Sequence, residues 1–265
     1  MGIDHKTHGK DKTHEKGLLN ISHVEKISSF IITLLWIVGF CLGMLATIPV
    51  LLIYHLIKLF PGNHNADRFA YLFTRFWARS IITTTGSHVT VFGIENITTA
   101  PNVCFICNHQ SLFDIPLLMG WLNRPVGFIA KHELRKIPVL SDWIKAIHSA
   151  FIDRSNARKA IDSIKQASDA IRKGYAIVIF PEGTRSKSGE IGDFKTGSLK
   201  LAFNANAIIQ PITISGTRKI FEESRKIHKA KLTIYIHKSI SPEEEITSDK
   251  QALINRIHSD ISMGF

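Results

Sequence analysis

The stretch "VCFICNHQSLFD", Val103 to Asp114, joins two patterns. Its first half is a run of five apolar residues, which reads as a strand buried on both faces of a sheet. Its second half is polar and sets His109 and Asp114 five residues apart. On a continuous helix that spacing leaves the two side chains about 140° apart. The imidazole and the carboxylate therefore meet only if the chain turns after the strand and enters a helix near Asp114. Asp114 suits an N-cap and Pro116 a first-turn position, ahead of the apolar "LLMGWL". Two readings stay open here: a carboxylate that only caps a helix, or one that also fixes the tautomer of a histidine base and stabilises its imidazolium.

Working outward, strand-like runs recur at "VTVFG" (89–93), "VGFIA" (126–130), "AFID" (150–153), "AIVIF" (176–180), "IIQPITI" (208–214) and "LTIYI" (232–236). Helical patterns separate several of them, over 157–173 and 195–205. A further helix is expected at 67–83, with Phe69, Leu72, Phe73, Phe76 and Trp77 on one face. Another is expected at 249–262, capped by Thr247 or Ser248, with Leu253, Ile254, Ile257 and Ile261 inward. This is an α/β pattern: a central, mostly apolar sheet of about seven strands flanked by helices.

The N-terminal side is different. No Lys, Arg, Asp or Glu occurs from Ile27 to Ile57. A helix over Ile27 to Thr47 would be about 31 Å long, close to the thickness of a bilayer's hydrocarbon core. Pro49 should break or kink it. Two topologies stay open: a spanning helix with an interfacial second arm, or a hairpin dipping into one leaflet. The chain is thus expected to comprise a polar N-terminal tail (1–26), a membrane-embedded helical anchor broken near Pro49 (27–60) and one α/β domain (61–265). The run is too long for a cleavable signal peptide and lacks its small-x-small site.

The 265 residues carry a formal charge of +11. Residues 61–265 hold 27 Lys and Arg against 18 Asp and Glu. That excess suits an anionic partner, a phosphorylated substrate or an acidic membrane surface. Nucleic acid fits least, because the basic residues are scattered without interleaved aromatics. Cys104 and Cys107 form a C-x-x-C with no second pair to complete a zinc site. On a strand they face opposite sides, which disfavours a disulfide. No metal-ligand set is legible.

A second polar box, "FPEGTRS" (Phe180 to Ser186), ends the run at 176–180. A glycine beside Thr and Arg at a strand end permits close backbone approach to an oxyanion, and Arg185 can fork onto phosphate. Neither a P-loop nor a G-x-G-x-x-G fingerprint is present. Alone, the box is more simply a surface turn.

The boxes occur in a telling order: "NHQSLFD", "KHEL" with Pro138, "FIDR", "FPEGTRS", "FKTG" and "QPITISGT". Over roughly residues 85–218 the chain resembles the glycerolipid acyltransferase family, specifically its 1-acyl-sn-glycerol-3-phosphate acyltransferases. The resemblance implies that His109 is the general base for the glycerol 2-hydroxyl, with Asp114 in support, and that the hydroxyl attacks an acyl thioester directly. It implies that Arg154 and Arg185 bind the acceptor phosphate and that Glu182, Gly183 and Thr184 complete the acceptor pocket. Lys195 is a further candidate phosphate contact, and Lys131 is placed near the site entrance. The donor would be acyl-CoA or acyl carrier protein and the acceptor lysophosphatidic acid, drawn from the membrane lipids, with no metal or cofactor. Both donors are cytoplasmic, so the domain is expected on the cytoplasmic side, at a bacterial inner membrane. Another lyso-lipid acceptor, or a non-enzymatic basic membrane-binding module, is the alternative. Ser111 is no nucleophile candidate, because no G-x-S-x-G elbow occurs. Ser141 and His148 stand where relatives commonly carry glycines.

Overall fold

The computed structural model describes residues 11–62, 64–153, 157–241 and 250–264. The run Val103–Cys107 is strand β2, and all five of its side chains are buried. It is the centre of a seven-stranded sheet. The remaining strands are β1 (His88–Phe92), β3 (Gly127–Lys131), β4 (Ala150–Ile152), β5 (Ile177–Ile179), β6 (Ile208–Ser215) and β7 (Lys231–Ile236), in the spatial order β1-β7-β6-β2-β5-β3-β4. β2 pairs in parallel with both β6 and β5, opposing Phe105 to Gln210 on one side and to Val178 on the other. β7 is antiparallel to β6, and β1 pairs in parallel with β7.

Strand alternation divides β2 between two cores. Val103, Phe105 and Cys107 face a cluster with Leu117 and Leu118 of helix α4 (Asp114–Trp121) and Ile82 of α3 (His64–Thr83). Cys104 and Ile106 face the other side, against α6 (Ala157–Arg172), α7 (Lys200–Asn204) and α8 (Lys250–Met263). In α8 the expected Leu253, Ile254, Ile257 and Ile261 are the buried face; its proposed caps, Thr247 and Ser248, lie outside the described residues. The two cysteines are free and belong to different cores. Truncating Phe105 to Ala removes a fully buried ring and costs about 3–5 kcal/mol.

From β2 the chain passes to β3 on one side, and from β5 it crosses back to β6 on the other. The carboxyl end of β2 is therefore a topological switch point, where open α/β sheets leave a crevice. Both polar boxes emerge there.

Helix α1 (Asp11–Ala46) begins within the segment expected as a polar tail, and α2 (Ile48–Lys58) follows after a break at Thr47, with Pro49 in its first turn. One apolar stretch of these helices, Ile27–Lys58, is long enough to cross a membrane. Polar side chains near its start and at the Thr47 break dock on the sheet domain. Ser29 Oγ accepts from Lys226 Nζ at 2.8 Å, Thr33 Oγ1 accepts from the Ile227 N–H at 2.9 Å, and Thr47 Oγ1 accepts from Trp143 Nε1 at 2.9 Å. Trp36 lies on Phe113 at 5.5 Å. The opposite face, including Phe30, Leu35, Leu42, Leu52 and Leu56, is exposed.

One expectation is refined and one corrected. The fully buried stripe of α3 is Ala66, Ala70, Thr74, Ala78 and Ile82, beside the bulky face, of which Phe69 and Phe73 pack partly buried. Small side chains let α3 approach its neighbours closely, so that a Cβ on Gly120 of α4 would lie 3.1 Å from Arg79 Cγ. Leu72 and Phe76 are instead exposed. Asp114 is also not the N-cap of α4. Phe113 occupies that position with helical φ and ψ, and Asp114 is the first helical residue.

Candidate active site

Because Asp114 opens α4 instead of capping it, its carboxylate reaches back over the turn. Oδ2 accepts from His109 Nδ1 at 2.6 Å and from the main-chain N–H groups of Gln110 and Ser111 at 2.7 and 2.9 Å. Asp114 is fully buried, and Oδ1 has no partner among the described residues. A carboxylate accepting from Nδ1 keeps the proton on that nitrogen, which leaves the Nε2 lone pair as the basic site. The imidazole stacks on Phe180 at 4.0 Å and 15°, and its side chain keeps 17% of its exposure. The ring is thus gripped at one nitrogen and one face while remaining open to a reactant.

The backbone around it is laced to both neighbouring strands. Asn108 exchanges two hydrogen bonds with the main chain of Ile214 in β6, at 2.8 and 2.9 Å. On the β5 side the Ser186 N–H donates to the His109 carbonyl at 2.7 Å. Glu182 Oε1 accepts from the His109 N–H at 2.7 Å, and Oε2 accepts from the Gly192 N–H at 3.1 Å. Glu182 is buried, and burial raises its carboxyl pKa despite those two N–H donors. Its carboxylate shapes the wall between the two boxes, with both oxygens turned to main chain. Burial, with Asp114 and Glu182 nearby, also holds the Cys107 thiol far above its ordinary pKa, so this cysteine is an inert core residue.

Gly183 has φ +76°, a conformation that side chains rarely adopt, and a Cβ there would lie 3.0 Å from Lys195 Nζ. The Lys195 ammonium therefore lies over the backbone of the "EGT" turn, and the Lys195 main-chain N–H donates to the Pro181 carbonyl at 3.0 Å. Thr184 and Arg185 are exposed, and Arg185 Nη1 pairs with Glu222 Oε1 at 3.2 Å. Lys131, two strands away at the same end of the sheet, is exposed and pairs with Glu133 at 2.9 Å. Arg154 lies outside the described residues. Among those residues, no group of three His, Cys, Asp or Glu side chains is placed to hold a metal ion.

Sequence reasoning missed Glu222 altogether. Its Oε2 accepts from Ser111 Oγ at 2.6 Å and its Oε1 from the Leu112 N–H at 2.8 Å. Nothing in the polar segment "FEESR" announces this, because only the strand order brings the loop after β6 beside β2. Ser111 Oγ donates to that carboxylate and accepts from the Phe113 N–H at 3.0 Å. It shapes the turn and is not held against His109.

Comparison with known proteins points to one family. The profile described as Acyltransferase matches residues 88–215, which run from β1 through β6 and contain both boxes. A probable 1-acyl-sn-glycerol-3-phosphate acyltransferase of Mycoplasma pneumoniae is 34% identical, over 68% of this chain and 72% of its own length. The 1-acyl-sn-glycerol-3-phosphate acyltransferase of Cocos nucifera is 31% identical, over 76% of this chain and 67% of its own. The crystal structure of the 1-acyl-sn-glycerophosphate (LPA) acyltransferase PlsC from Thermotoga maritima superposes with a TM-score of 0.80 and 27% identity, covering 90% of this chain and 95% of that one. With a histidine held by a buried carboxylate at the switch point and an apolar helix pair beside it, this chain belongs to the PlsC-like acyltransferase family, the membrane-associated transferases of lipid metabolism.

Proposed function

We propose that the protein transfers a fatty acyl group from a thioester donor, acyl-CoA or acyl carrier protein, to the 2-hydroxyl of 1-acyl-sn-glycerol 3-phosphate, giving phosphatidic acid. The observation that carries this reading is the 2.6 Å bond from His109 Nδ1 to the buried Asp114, which leaves Nε2 as a base beside the cationic turn of Lys195 and Arg185. Nε2 takes the hydroxyl proton as the oxygen attacks the thioester carbonyl carbon. The C–S bond then breaks, and the leaving thiolate recovers that proton from the imidazolium. Asp114 stabilises the transient imidazolium and holds the ring's tautomer, a contribution of about 10²–10⁴ for general acid–base catalysis. Arg185 and Lys195 supply the positive charge that a phosphomonoester seeks.

The apolar helices support a one-leaflet topology for this activity. Ser29, Thr33 and Thr47 all bond to the sheet domain, so the apolar helix from Ile27 to Thr47 is held along the domain near both its ends, while a crossing must carry one end about 30 Å away through hydrocarbon. The exposed face would lie in the leaflet that holds acceptor and product. Both thioester donors place that leaflet on the cytoplasmic side, with a bacterial inner membrane as the expected setting.

Acyl transfer in detergent micelles tests the assignment, with both donors offered to lysophosphatidic acid and to lysophosphatidylcholine. Phosphatidic acid is expected from the wild type. Arg185→Ala should raise the acceptor KM by about 10–100-fold, the worth of a charge-assisted hydrogen bond. Transfer to the choline lipid alone would overturn the acceptor assignment, and transfer to neither would overturn the activity.

A further inference from the structure

Three loops meet at one carboxylate. Glu222, in the loop after β6, accepts from Ser111 Oγ and the Leu112 N–H of the loop after β2, and from Arg185 Nη1 of the loop after β5. Its side chain keeps only 13% of its exposure, against 42% for Arg185. An acidic group beside the guanidinium meant for a phosphate looks counterproductive at first, since the two anions repel. The geometry resolves this. Glu222 is fixed chiefly by the turn, at 2.6 and 2.8 Å, and touches Arg185 more weakly, through Nη1 alone at 3.2 Å. A guanidinium has two edges suited to bidentate contact, and a partner on Nη1 leaves the Nε–Nη2 edge to the incoming phosphate. The same turn, Gln110 to Asp114, carries the N–H groups that fix the Asp114 carboxylate and through it His109.

Building on the acceptor assignment above, we infer that Glu222 is the positioning residue that sets Arg185 for the acceptor phosphate in register with the His109 turn. It touches no reacting atom. It stiffens an exposed cation that would otherwise sample many rotamers, and it ties the phosphate-binding end of the site to the turn that carries the base. The alternative, that Glu222 only occupies Arg185 until a phosphate displaces it, predicts the opposite sign for its removal.

The experiment is steady-state acyl transfer by the full chain in micelles, with acyl-CoA and lysophosphatidic acid. It compares wild type, Glu222→Gln, Glu222→Asp, Arg185→Ala and the double variant Glu222→Gln/Arg185→Ala. Glu222→Gln should raise the acceptor KM about tenfold, as loss of a charged hydrogen bond does, with a smaller fall in kcat. Glu222→Asp should recover part of that loss. In the Arg185→Ala background Glu222→Gln should add little to KM, because the two residues act as one unit. A lowered acceptor KM in Glu222→Gln would overturn the inference in favour of a displaceable stand-in. An equal rise in both backgrounds would overturn it too, since the effect would not pass through Arg185. Glu222→Asp supplies the same comparison if Glu222→Gln does not fold. A wild type that transfers nothing to lysophosphatidic acid would instead sink the acceptor assignment, and this inference with it.

Discussion

Among the described residues, two histidine–aspartate pairs have nearly the same length but very different surroundings, and we propose that only the first serves as a base. His109 bonds Asp114 at 2.6 Å; His148 bonds Asp67 at 2.8 Å. The first pair closes within one strand–turn–helix unit at the carboxyl end of β2, its carboxylate wholly buried and fixed by two main-chain N–H groups. The second joins α3 to the turn before β4, with both side chains about a quarter to a third exposed. His148 uses Nε2 for its bond and stacks on Tyr175 at 3.6 Å, while Tyr175 donates to the other Asp67 oxygen at 3.1 Å. It lies at the amino ends of β4 and β5, across the sheet from Arg185 and Lys195. Its φ of +56° is the backbone state that glycine favours, at a position where the family resemblance leads one to expect glycine. The side-chain bonds offset that strain, which is of order 1–3 kcal/mol. On the proposed function, an imidazole–carboxylate bond marks a base only where topology also sets cationic side chains beside it, as Lys195 and Arg185 are set beside His109.

Replacing the two carboxylates should separate the pairs most widely. Asp114→Asn sets an amide against three donors and should lower kcat by about 10²–10⁴. Asp67→Asn should leave kcat within a few-fold and lower stability by about 1 kcal/mol, read as a shift in denaturation midpoint. An Asp67 variant as inactive as the Asp114 variant would erase the distinction. Next in size is the support under the ring. Phe180→Ala removes the face on which His109 stacks and should cost about tenfold in kcat, whereas Tyr175→Phe, which removes only a hydroxyl at the other pair, should leave kcat unchanged. Gly183→Ala should fall in between, because it strains a positive φ and displaces Lys195, raising the acceptor KM more than it lowers kcat.

The smallest effect concerns Glu182. Burial raises its carboxyl pKa in the folded state above the ordinary 4.5, so the native protein binds that proton more readily than the unfolded chain. Stability from this group is then greatest at or below pH 4.5 and declines as pH rises through the raised native value. Measured against Glu182→Ala, the difference in melting temperature should narrow as pH rises across that window and stay constant above it. A widening difference would mean that the main-chain donors outweigh burial.

Much of the fold was legible because the central strands are buried and their apolar runs are bounded by polar turns. "VCFIC" and "IIQPITI" mark central strands for that reason. The face of α3 was only partly legible, since Leu72 and Phe76 are apolar for an environment other than the core, and periodicity cannot separate the two. His109 and Asp114 could be paired from spacing and turn chemistry, although the helix starts one residue earlier than a cap at Asp114 requires. Glu222 lay beyond reach, because its role depends on β6 lying beside β2, which no local pattern encodes.

The most direct test of the distinction is the rate of phosphatidic acid formation by His109→Ala and His148→Ala, assayed side by side with the wild type. The account predicts a loss of at least about 10²-fold for His109→Ala and a rate within a few-fold of wild type for His148→Ala. Equal losses in both, or near-wild-type transfer by His109→Ala, would contradict it.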